Sequence, residues 1–422
     1  MYLSASRAAD AAQGLPAPGR RSAVPGTVLA LGLVSMVTDV SAEMVTAVLP
    51  LYLMVGLGMS PLAFGALDGL HQGATALLRL AGGRIADRTR RRKLVAGTGY
   101  ALSAVCKAAL LAVSTPWSVA AVLAADRTGK GLRTAPRDAL ISLSCPPGEQ
   151  GRAFGVHRAL DTAGALLGPL AAFGVLWLAV DGYDAVFTVS FCVAVLGVVL
   201  LALFVREAPA TATGPVAATR PARPAFRTLL RSPGLRRLCL TAALLGVFTV
   251  GDAFLYLLLQ RRLDLPAAYF PLLPVATAAV FLLGALPAGR LADRVGRHRV
   301  FLAGHLPLIG ACLLLLAPWP AGPLLAVGVP ALLGLFYAAT DGVLMAAAGP
   351  LLPPDLRATG LAVLQTAQAL ARFAGSLLFG AAWTLWGPSP ALWAAAAGLL
   401  AALAVAAWRH PAYLRARPPG AA

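Results

Sequence analysis

Charged residues are scarce in this chain. Asp, Glu, Lys and Arg make up 12% of its 422 residues, whereas an average soluble domain has about 25%. Hydrophobic residues make up 59%, and together these values indicate an integral membrane protein. The few charges are mostly positive, with 35 Lys and Arg against 17 Asp and Glu. Because the cations lie mainly at the ends of apolar stretches, they indicate membrane topology rather than nucleic-acid binding.

Motifs for cofactor, metal or nucleotide chemistry are also missing from the sequence. The five cysteines are scattered, with no CxxC pair and no metal-ligand spacing, so we expect no disulfides. The segment TGKGL at Thr128 lacks the spacing and the Ser or Thr of a phosphate-binding loop. No GxSxG or HExxH sequence occurs. We therefore predict a protein that is not an enzyme, is not driven by ATP and binds no cofactor or metal.

Apolar stretches recur along the chain instead. A membrane-spanning helix needs roughly 20 mostly apolar residues, and twelve stretches fit this length. Their approximate limits are residues 27–54, 61–83, 94–114, 117–141, 153–180, 184–205, 236–260, 266–289, 299–317, 322–349, 357–381 and 387–408. The sequence therefore predicts an all-α integral membrane protein with twelve transmembrane helices.

The positive charges predict how the chain is oriented. Lys and Arg concentrate in alternate connections, such as residues 84–93 and 290–299, while the other connections contain almost none. The positive-inside rule then places both termini in the cytoplasm, and we expect a multi-pass protein of the plasma (inner) membrane. The predicted regions are an N-terminal cytoplasmic tail over 1–26, a six-helix bundle over 27–206, a cytoplasmic linker over 207–234, a second six-helix bundle over 235–408 and a C-terminal tail over 409–422.

The two halves of the chain resemble each other. The segment GGRIADRTRRRKLVAG at 82–97 matches AGRLADRVGRHRVFLAG at 288–304, and PPGEQGRAFG at 146–155 matches PPDLRATG at 353–360. Both pairs are offset by about 206 residues, which indicates an internal duplication. The predicted architecture is two pseudo-symmetric six-helix bundles, with a substrate site between them near the membrane midplane.

The first pair of segments resembles the G-x-x-x-D-R-x-G-R-[RK] signature of the major facilitator superfamily of secondary transporters. The likeness covers about residues 25–408, and the first copy has Thr89-Arg90 where a glycine is usual. The resemblance implies two bundles that work by alternating access, with these loops latching the halves in one state. The residues implied in this gating role are Gly83, Asp87, Arg88, Arg91, Gly289, Asp293, Arg294 and Arg297.

Two further patterns resemble motifs of the same family. Arg127 to Gly131 follows R-x-x-x-G in the fourth span, and GALLGP in the fifth resembles the antiporter motif G-x-x-x-G-P without its trailing glycine pair. The drug and metabolite exporter (antiporter) branch is the nearest likeness. Gly164, Gly168 and Pro169 are therefore expected to allow close helix packing and a bend in the fifth span.

A stripe of charges runs along the predicted fourth span. Asp126, Lys130 and Arg133 fall at i, i+4 and i+7, on one face of a helix. Charges inside a membrane are costly, so these must face partners, water or a ligand. From the helical rise per residue, Asp126 and Asp39 of the first span lie at nearly the same depth in the membrane. We predict a cluster of these acids with Arg127 or Lys130.

Acids and one histidine of the first half are candidates for proton coupling, because buried acids and histidine can take up and release protons. A static ion network that holds the helices together is the alternative for the same charges. The proton-coupling candidates are Asp39, Glu43, Asp68, His71, Asp126 and Asp161. The candidates for lining the substrate cavity are Arg127, Lys130, Arg133, Asp252, Asp341, Gln365, Gln368 and Arg372.

The sequence therefore predicts a secondary active transporter that moves a small molecule by alternating access. We expect proton-coupled export of a drug or metabolite, with protons as the coupling ion and the protein as a monomer. Import or exchange of an anionic metabolite held by Arg127, Lys130 and Arg133 is the first alternative. A non-transporting membrane receptor or a lipid-moving protein is the alternative from a different class.

Overall fold

The computed structural model describes residues 25–69, 91–145, 150–179, 182–205, 232–318, 320, 322–352 and 357–409. All regular secondary structure in these ranges is helical. The helices of the first half are α1 (Gly26–Leu51), which ends in a π-helical turn at Tyr52–Gly56, α2 (residues 61–69), α3 (Arg92–Leu110), α4 (Pro116–Leu143), α5 (Gln150–Leu178) and α6 (Tyr183–Phe204). The helices of the second half are α7 (Pro233–Phe248), α8 (Asp252–Leu263), α9 (Leu272–Val295), α10 (Arg297–Ala303), α11 (Leu306–Leu316), α12 (Pro323–Ala348), α13 (Arg357–Trp386) and α14 (Pro388–Arg409), with short 3-10 turns at Ala267–Tyr269 and Gly349–Leu351.

These helices follow the predicted spans. The second span is described over residues 61–69 only, and each of the others contains one helix or a pair of helices. Within the described residues, nine helical segments are long and apolar enough to cross a membrane. The charged helices α3 and α4 are not among them, because intramembrane Lys, Arg and Asp lower their hydropathy. The predicted all-α membrane fold is confirmed.

Packing in the first half is centred on α1. This helix lies against α5 and α6, while α3 packs on α4 and α6. A Cβ on Gly164 would collide with the Met36 main chain, and a Cβ on Gly168 would lie 2.6 Å from the Cβ of Glu43. Pro169 follows inside α5. The glycine motif of the fifth span therefore lies at the contact between α5 and α1, where only small residues allow this approach.

The second half repeats this arrangement with α7 and α13. α13 packs on α7, α9 packs on α12, and α14 lies against α13, α7 and α11. A Cβ on Gly375 of α13 would lie 2.6 Å from the Val247 carbonyl oxygen of α7. Corresponding helices of the two halves thus meet through the same kind of glycine contact, as duplicated bundles should.

The seventh span is not the continuous helix that the sequence predicts over residues 236–260. α7 ends at Phe248 and α8 begins at Asp252, and the backbone is extended at Thr249 and Gly251. Two β-branched residues followed by glycine have low helix propensity, which favours a break at this position. Irregular backbone at membrane depth is tolerated where it lies within protein or lines a cavity.

The ninth span is likewise divided, whereas the sequence predicts one helix over residues 299–317. α10 ends at Ala303, and α11 begins at Leu306. Pro307 lies in the first turn of α11, where its missing N–H costs no helical hydrogen bond. A proline at this position favours a new helix start over continuation of the preceding helix.

The two halves meet at the end of the molecule where α1 ends and α2 begins. The Leu62 amide of α2 donates a hydrogen bond to Thr384 Oγ1 of α13 at 3.1 Å. On the other side α5 contacts α9, and the Trp177 ring lies edge-on to Tyr269, with their centroids 5.7 Å apart. These contacts close this end of the molecule above a central cavity.

We expect Gly168→Ala to destabilise the protein. The added methyl group would lie 2.6 Å from the Cβ of Glu43 and 2.8 Å from the Val40 carbonyl oxygen, so α1 and α5 would have to separate. Overpacking of this kind costs about 1–3 kcal/mol, and thermal unfolding in detergent should register the loss. The matched control is Gly174→Ala in the same helix, where a Cβ meets nothing within 4 Å. Equal melting temperatures for the two variants would contradict the packing described.

Candidate functional site

Three groups of charged side chains lie inside the first half. In the first group, Lys107 Nζ of α3 lies 2.9 Å from Asp126 Oδ1 of α4, and Arg127 Nη2 lies 3.5 Å from the other carboxylate oxygen. None of these three side chains is more than 10% exposed. Their mutual attraction offsets the cost of removing each charge from water. This group ties α3 to α4.

Lys107 is absent from the residues that the sequence analysis singles out. It lies 13 positions into the predicted third span, or about 20 Å along a helix. A cation at this depth of a core about 30 Å thick is itself a signal that a buried acid is nearby. The lysine could therefore have been found from its position, although its partner on α4 could not.

The second group joins α4 to α1. The Arg133 guanidinium donates a hydrogen bond to Asp39 Oδ1 at 3.3 Å, and Lys130 Nζ lies 3.9 Å from both Asp39 Oδ1 and Glu43 Oε1. Tyr100 of α3 lies beside Arg133, with the guanidinium carbon 4.5 Å from its ring centroid. The expected link between the first and fourth spans is thus present. The acid of the fourth span, however, belongs to the first group.

The third group lies between α1, α4 and α5. Ser35 Oγ donates a hydrogen bond to Asp161 Oδ1 at 2.9 Å and accepts one from Arg137 Nη1 at 2.8 Å. Ser35 lies one helical turn from Asp39 on α1, so its hydrogen bond to Asp161 places that acid beside the second group. The second and third groups are therefore neighbours along α1.

The cations predicted to line the substrate cavity take up different positions. Arg127 and Arg133 are buried in the ion pairs described above, with side chains 8% and 4% exposed. Lys130 is 25% exposed and reaches Glu43 on the wall of the central cavity. The charged stripe of α4 therefore faces neighbouring helices of its own half, whose acids neutralise it.

The central cavity lies between the two halves, beneath the closed end. One part of it has a volume of about 160 Å³. Three acids from both halves line this part, namely Glu43, Asp68 and Asp252. The aromatic rings of Phe64 and Phe270 form part of the remaining wall. Two of the acids, Glu43 and Asp68, are proton-coupling candidates from the sequence, and Asp252 is a substrate-cavity candidate.

A second part of the cavity, of about 240 Å³, shares Asp68 and Asp252 with the first. The Ser376 hydroxyl of α13 donates a hydrogen bond to Asp68 Oδ2 at 2.8 Å and so joins the two halves at this level. Arg372 also lines this part and lies 3.4 Å from Asp341 Oδ1 of α12. Of the predicted charged residues of the second half, Asp252 and Arg372 thus line one cavity, whereas Asp341 lines neither described part of it and is held beside Arg372.

The two glutamines predicted for the eleventh span line neither part of this cavity. Gln365 is exposed, and its Nε2 lies 3.8 Å from Met345 Sδ. Gln368 is half-buried on α13. Of the polar stripe predicted along this span, Arg372 is the member that lines these two parts of the cavity, and Gln365 lies about 10 Å from it along the helix axis.

The second copy of the loop signature makes contacts within its own half. Asp293 and Arg297 form an ion pair at 3.1 Å, and Arg297 also donates a hydrogen bond to the Ala346 carbonyl oxygen at 2.8 Å. Arg294 is exposed at the end of α9, and Gly289 is half-buried one turn earlier. The aspartate and arginine of this copy therefore hold α9, α10 and α12 together.

Part of the predicted site cannot be placed. Arg91 of the first loop copy is exposed just before α3. The other predicted residues of that copy and the histidine of the second span lie outside the described residues, namely Gly83, Asp87, Arg88 and His71. The same holds for most of the predicted linker and of both tails.

Known proteins share both sequence and fold with this chain. The Major Facilitator Superfamily model matches residues 31–376 and 265–422. An uncharacterized MFS-type transporter of Methanocaldococcus jannaschii is 29% identical over 365 residues, which cover 84% of this chain and 88% of the relative. The multidrug resistance protein MdtH of Edwardsiella ictaluri is 33% identical over 114 residues, or 27% of this chain and 28% of MdtH. The crystal structure of the nucleoside transporter NupG is similar with a TM-score of 0.75 at 15% identity, covering 93% of this chain and all of the other.

We expect Lys107→Met to destabilise the first half. The change leaves Asp126 buried with Arg127 alone at 3.5 Å, and loss of one partner of a buried pair costs about 3 kcal/mol or more. Thermal unfolding of the purified protein in detergent measures this loss. Lys93→Met is the matched control at the start of the same helix, where the amine reaches the Ala202 carbonyl oxygen at the surface. If both variants melt together, the buried pair does not stabilise the bundle.

Proposed function

Because this chain belongs to the Major Facilitator Superfamily, we propose that it exports a small drug or metabolite in exchange for protons. Membership makes the chain a multi-pass membrane protein that acts as a secondary transporter and not as an enzyme. The direction of transport, the coupling ion and the orientation in the membrane are the parts that we propose. Each is supported by separate features of the chain.

The proposed orientation places both termini in the cytoplasm of the cell, in the plasma (inner) membrane. Its support is the concentration of Lys and Arg in connections on one side, such as residues 290–299. In this orientation the end where α2 packs on α13 faces outward. Alternating access would then open the central cavity to the cytoplasm, where an exporter takes up its substrate.

The closeness of Asp39 and Asp161 carries the proton-coupling proposal, because Asp161 accepts a hydrogen bond from Ser35, which lies one turn of α1 from Asp39. Acids that interact closely exchange protons as a coupled unit. Arg133 lies 3.3 Å from Asp39, and Arg137 lies 3.7 Å from Asp161. Movement of α1 against α4 or α5 changes these distances and therefore changes how tightly the proton is held.

Glu43 links this proton site to the cavity. It lines the cavity wall one helical turn from Asp39, and both carboxylates lie 3.9 Å from Lys130 Nζ. A change of charge at Glu43 alters the position of Lys130, and with it the field at Asp39. Substrate binding and proton release are thereby coupled through one shared lysine.

For Asp126 a static role is the better-supported proposal. Its carboxylate lies 2.9 Å from Lys107 and 3.5 Å from Arg127, and all three side chains are buried. A carboxylate held between two cations strongly favours its charged form, so it is a poor proton carrier. We therefore place proton exchange at Asp39 and Asp161 and assign Asp126 to the framework that supports them.

The likeness of part of the chain to a multidrug resistance protein supports export of a drug or metabolite. Import or exchange of an anionic metabolite has less support, because Arg127 and Arg133 are already paired with Asp126 and Asp39. A receptor or a lipid-moving protein would show no substrate-dependent proton flux. The same reconstituted assay therefore separates the proposal from its alternatives.

We also propose a gating role for the second loop copy. The Asp293 and Arg297 side chains remain 67% and 39% exposed although they pair with each other. A partner from the first half can therefore reach them when this end of the molecule closes. Breaking and remaking such charge-assisted bonds would accompany each change of state.

We expect Asp39→Asn and Asp161→Asn to abolish proton-coupled transport without unfolding the protein. The amide side chain of Asn does not take up or release a proton near neutral pH, but it keeps the shape and most hydrogen bonds of the carboxyl group. The protein is reconstituted into liposomes that contain a pH-sensitive dye. Drugs and metabolites are then screened for proton flux under an imposed pH gradient.

Asp264→Asn is the matched control for this assay. Asp264 is exposed beyond the end of α8 and has a left-handed backbone conformation, which Asn tolerates. This variant should move protons as the wild type does. Full flux in both the Asp39→Asn and Asp161→Asn variants would exclude the pair as the coupling site, and transport without proton movement in the wild type would exclude proton coupling.

We expect reporter fusions to place the C-terminus in the cytoplasm. Alkaline phosphatase is active only outside the cytoplasm, so a fusion at the C-terminus should be inactive and a fusion after Asp264 should be active. A fluorescent protein that matures only in the cytoplasm serves as the control and should give the opposite result at each site. The reverse pattern would make the closed end cytoplasmic and contradict the proposed orientation.

A further inference from the structure

We propose that the central cavity binds an organic cation, that is, an ammonium or similar charged group carried on an apolar body. The structure assigns the selection for positive charge to Asp252. This inference rests on the proposed function, because it names the substrate class of the same transport cavity.

Acids outnumber bases on the described wall of the cavity. The acids are Glu43, Asp68 and Asp252, and Arg372 is the one basic side chain that lines it there. Arg372 lies 3.4 Å from Asp341 and also lines the same part of the cavity as Asp252, so at least two acids share its single positive charge. A cleft lined by surplus negative charge attracts cations and repels anions.

Cations from the first half do not reverse this balance. Lys130 lies 3.9 Å from both Glu43 and Asp39, and it is therefore already shared between two acids. Arg127 and Arg133 are buried in their own ion pairs. Even if Lys130 neutralised Glu43 completely, neither Arg127 nor Arg133 would be free to neutralise Asp252.

Asp252 is placed to act on a ligand. Within the described ranges, no side-chain hydrogen bond or ion pair joins it to another residue. It lies at the start of α8, about 16 Å along the helix from Leu263, and so near the middle of a membrane core about 30 Å thick. A Cβ on Gly251 would lie 3.3 Å from Asp68 Oδ2. The absence of a side chain at Gly251 therefore allows both acids to share this wall.

The remainder of the wall suits an apolar body. Leu49, Leu53, Phe64 and Phe270 line the same part of the cavity as the acids. These side chains favour removal of apolar ligand surface from water, and aromatic faces also attract cations. A small inorganic cation would leave this surface unused. An apolar compound that carries one positive charge satisfies both the acidic and the apolar parts of the wall.

Benzyltrimethylammonium tests the inference, because it combines a permanent positive charge with an aromatic ring. Benzylsulfonate is the matched anionic probe. Both are titrated by calorimetry into the full chain purified in detergent. The cation should bind at least about tenfold more tightly than the anion, which corresponds to about 1.4 kcal/mol, and it should raise the melting temperature.

Variants at one position identify the selecting residue. Asp252→Asn should weaken binding of benzyltrimethylammonium about tenfold or more, because the attracting charge is gone. Asp252→Glu should retain most of the affinity, and the exposed control Asp264→Asn should retain all of it. Melting curves without ligand show which variants fold. If Asp252→Asn does not fold, the cation–anion comparison on the wild type and on Asp252→Glu decides.

Two results would overturn the inference. One is equal or tighter binding of benzylsulfonate by the wild type, and the other is unchanged cation affinity in folded Asp252→Asn. A failure of the transport proposal would give a different pattern from either of these two results. Cation binding without any substrate-dependent flux would uphold the charge preference of the cavity and remove the transport proposal. Flux of benzylsulfonate without cation binding would uphold transport and remove this inference.

Discussion

The cost of burying charge in an apolar bundle is the constraint on which the first half of this structure depends. An unpaired ion at this depth costs several kcal/mol. Lys107, Arg133 and Arg137 each lie beside a carboxylate of a neighbouring helix. Each pair therefore does two things: it makes the charge tolerable, and it fixes which helices are neighbours. The glycine contacts bring the main chains of α1 and α5 close together, so that the short Ser35 side chain reaches Asp161.

The two halves divide the chemistry unequally. The first half holds a connected network of ion pairs around Asp39 and Asp161. In the second half, Asp252 and Arg372 lie on the cavity wall rather than within a network. The hydrogen bond from Ser376 to Asp68 joins the halves between these regions. Under the proposed mechanism, this hydrogen bond is a route by which a proton bound in one half would influence a ligand held by the other.

Much of the fold could be predicted from the sequence, because span length and duplication are local signals. The membrane fold and the acids of the first half followed from such signals. The partner of each charge did not, since a stripe at i, i+4 and i+7 fixes a helix face but not what that face meets. Arg127 and Arg133 therefore pack against acids of their own half, and Gln365 is exposed and lines neither described part of the cavity. The break before Asp252 depended on three residues within an otherwise apolar run.

That break has a consequence for water. The main chain at Thr249 and Gly251 is extended at mid-membrane depth, and both residues line the cavity. Lipid tails offer no hydrogen bonds to peptide groups, whereas water does. The Thr249 N–H and the Gly251 carbonyl oxygen are bonded to protein, so the remaining peptide groups of the break depend on water in the cavity when no substrate is bound. A substrate then arrives by displacing water molecules from peptide groups and a carboxylate, and the work of drying the site is part of every transport cycle.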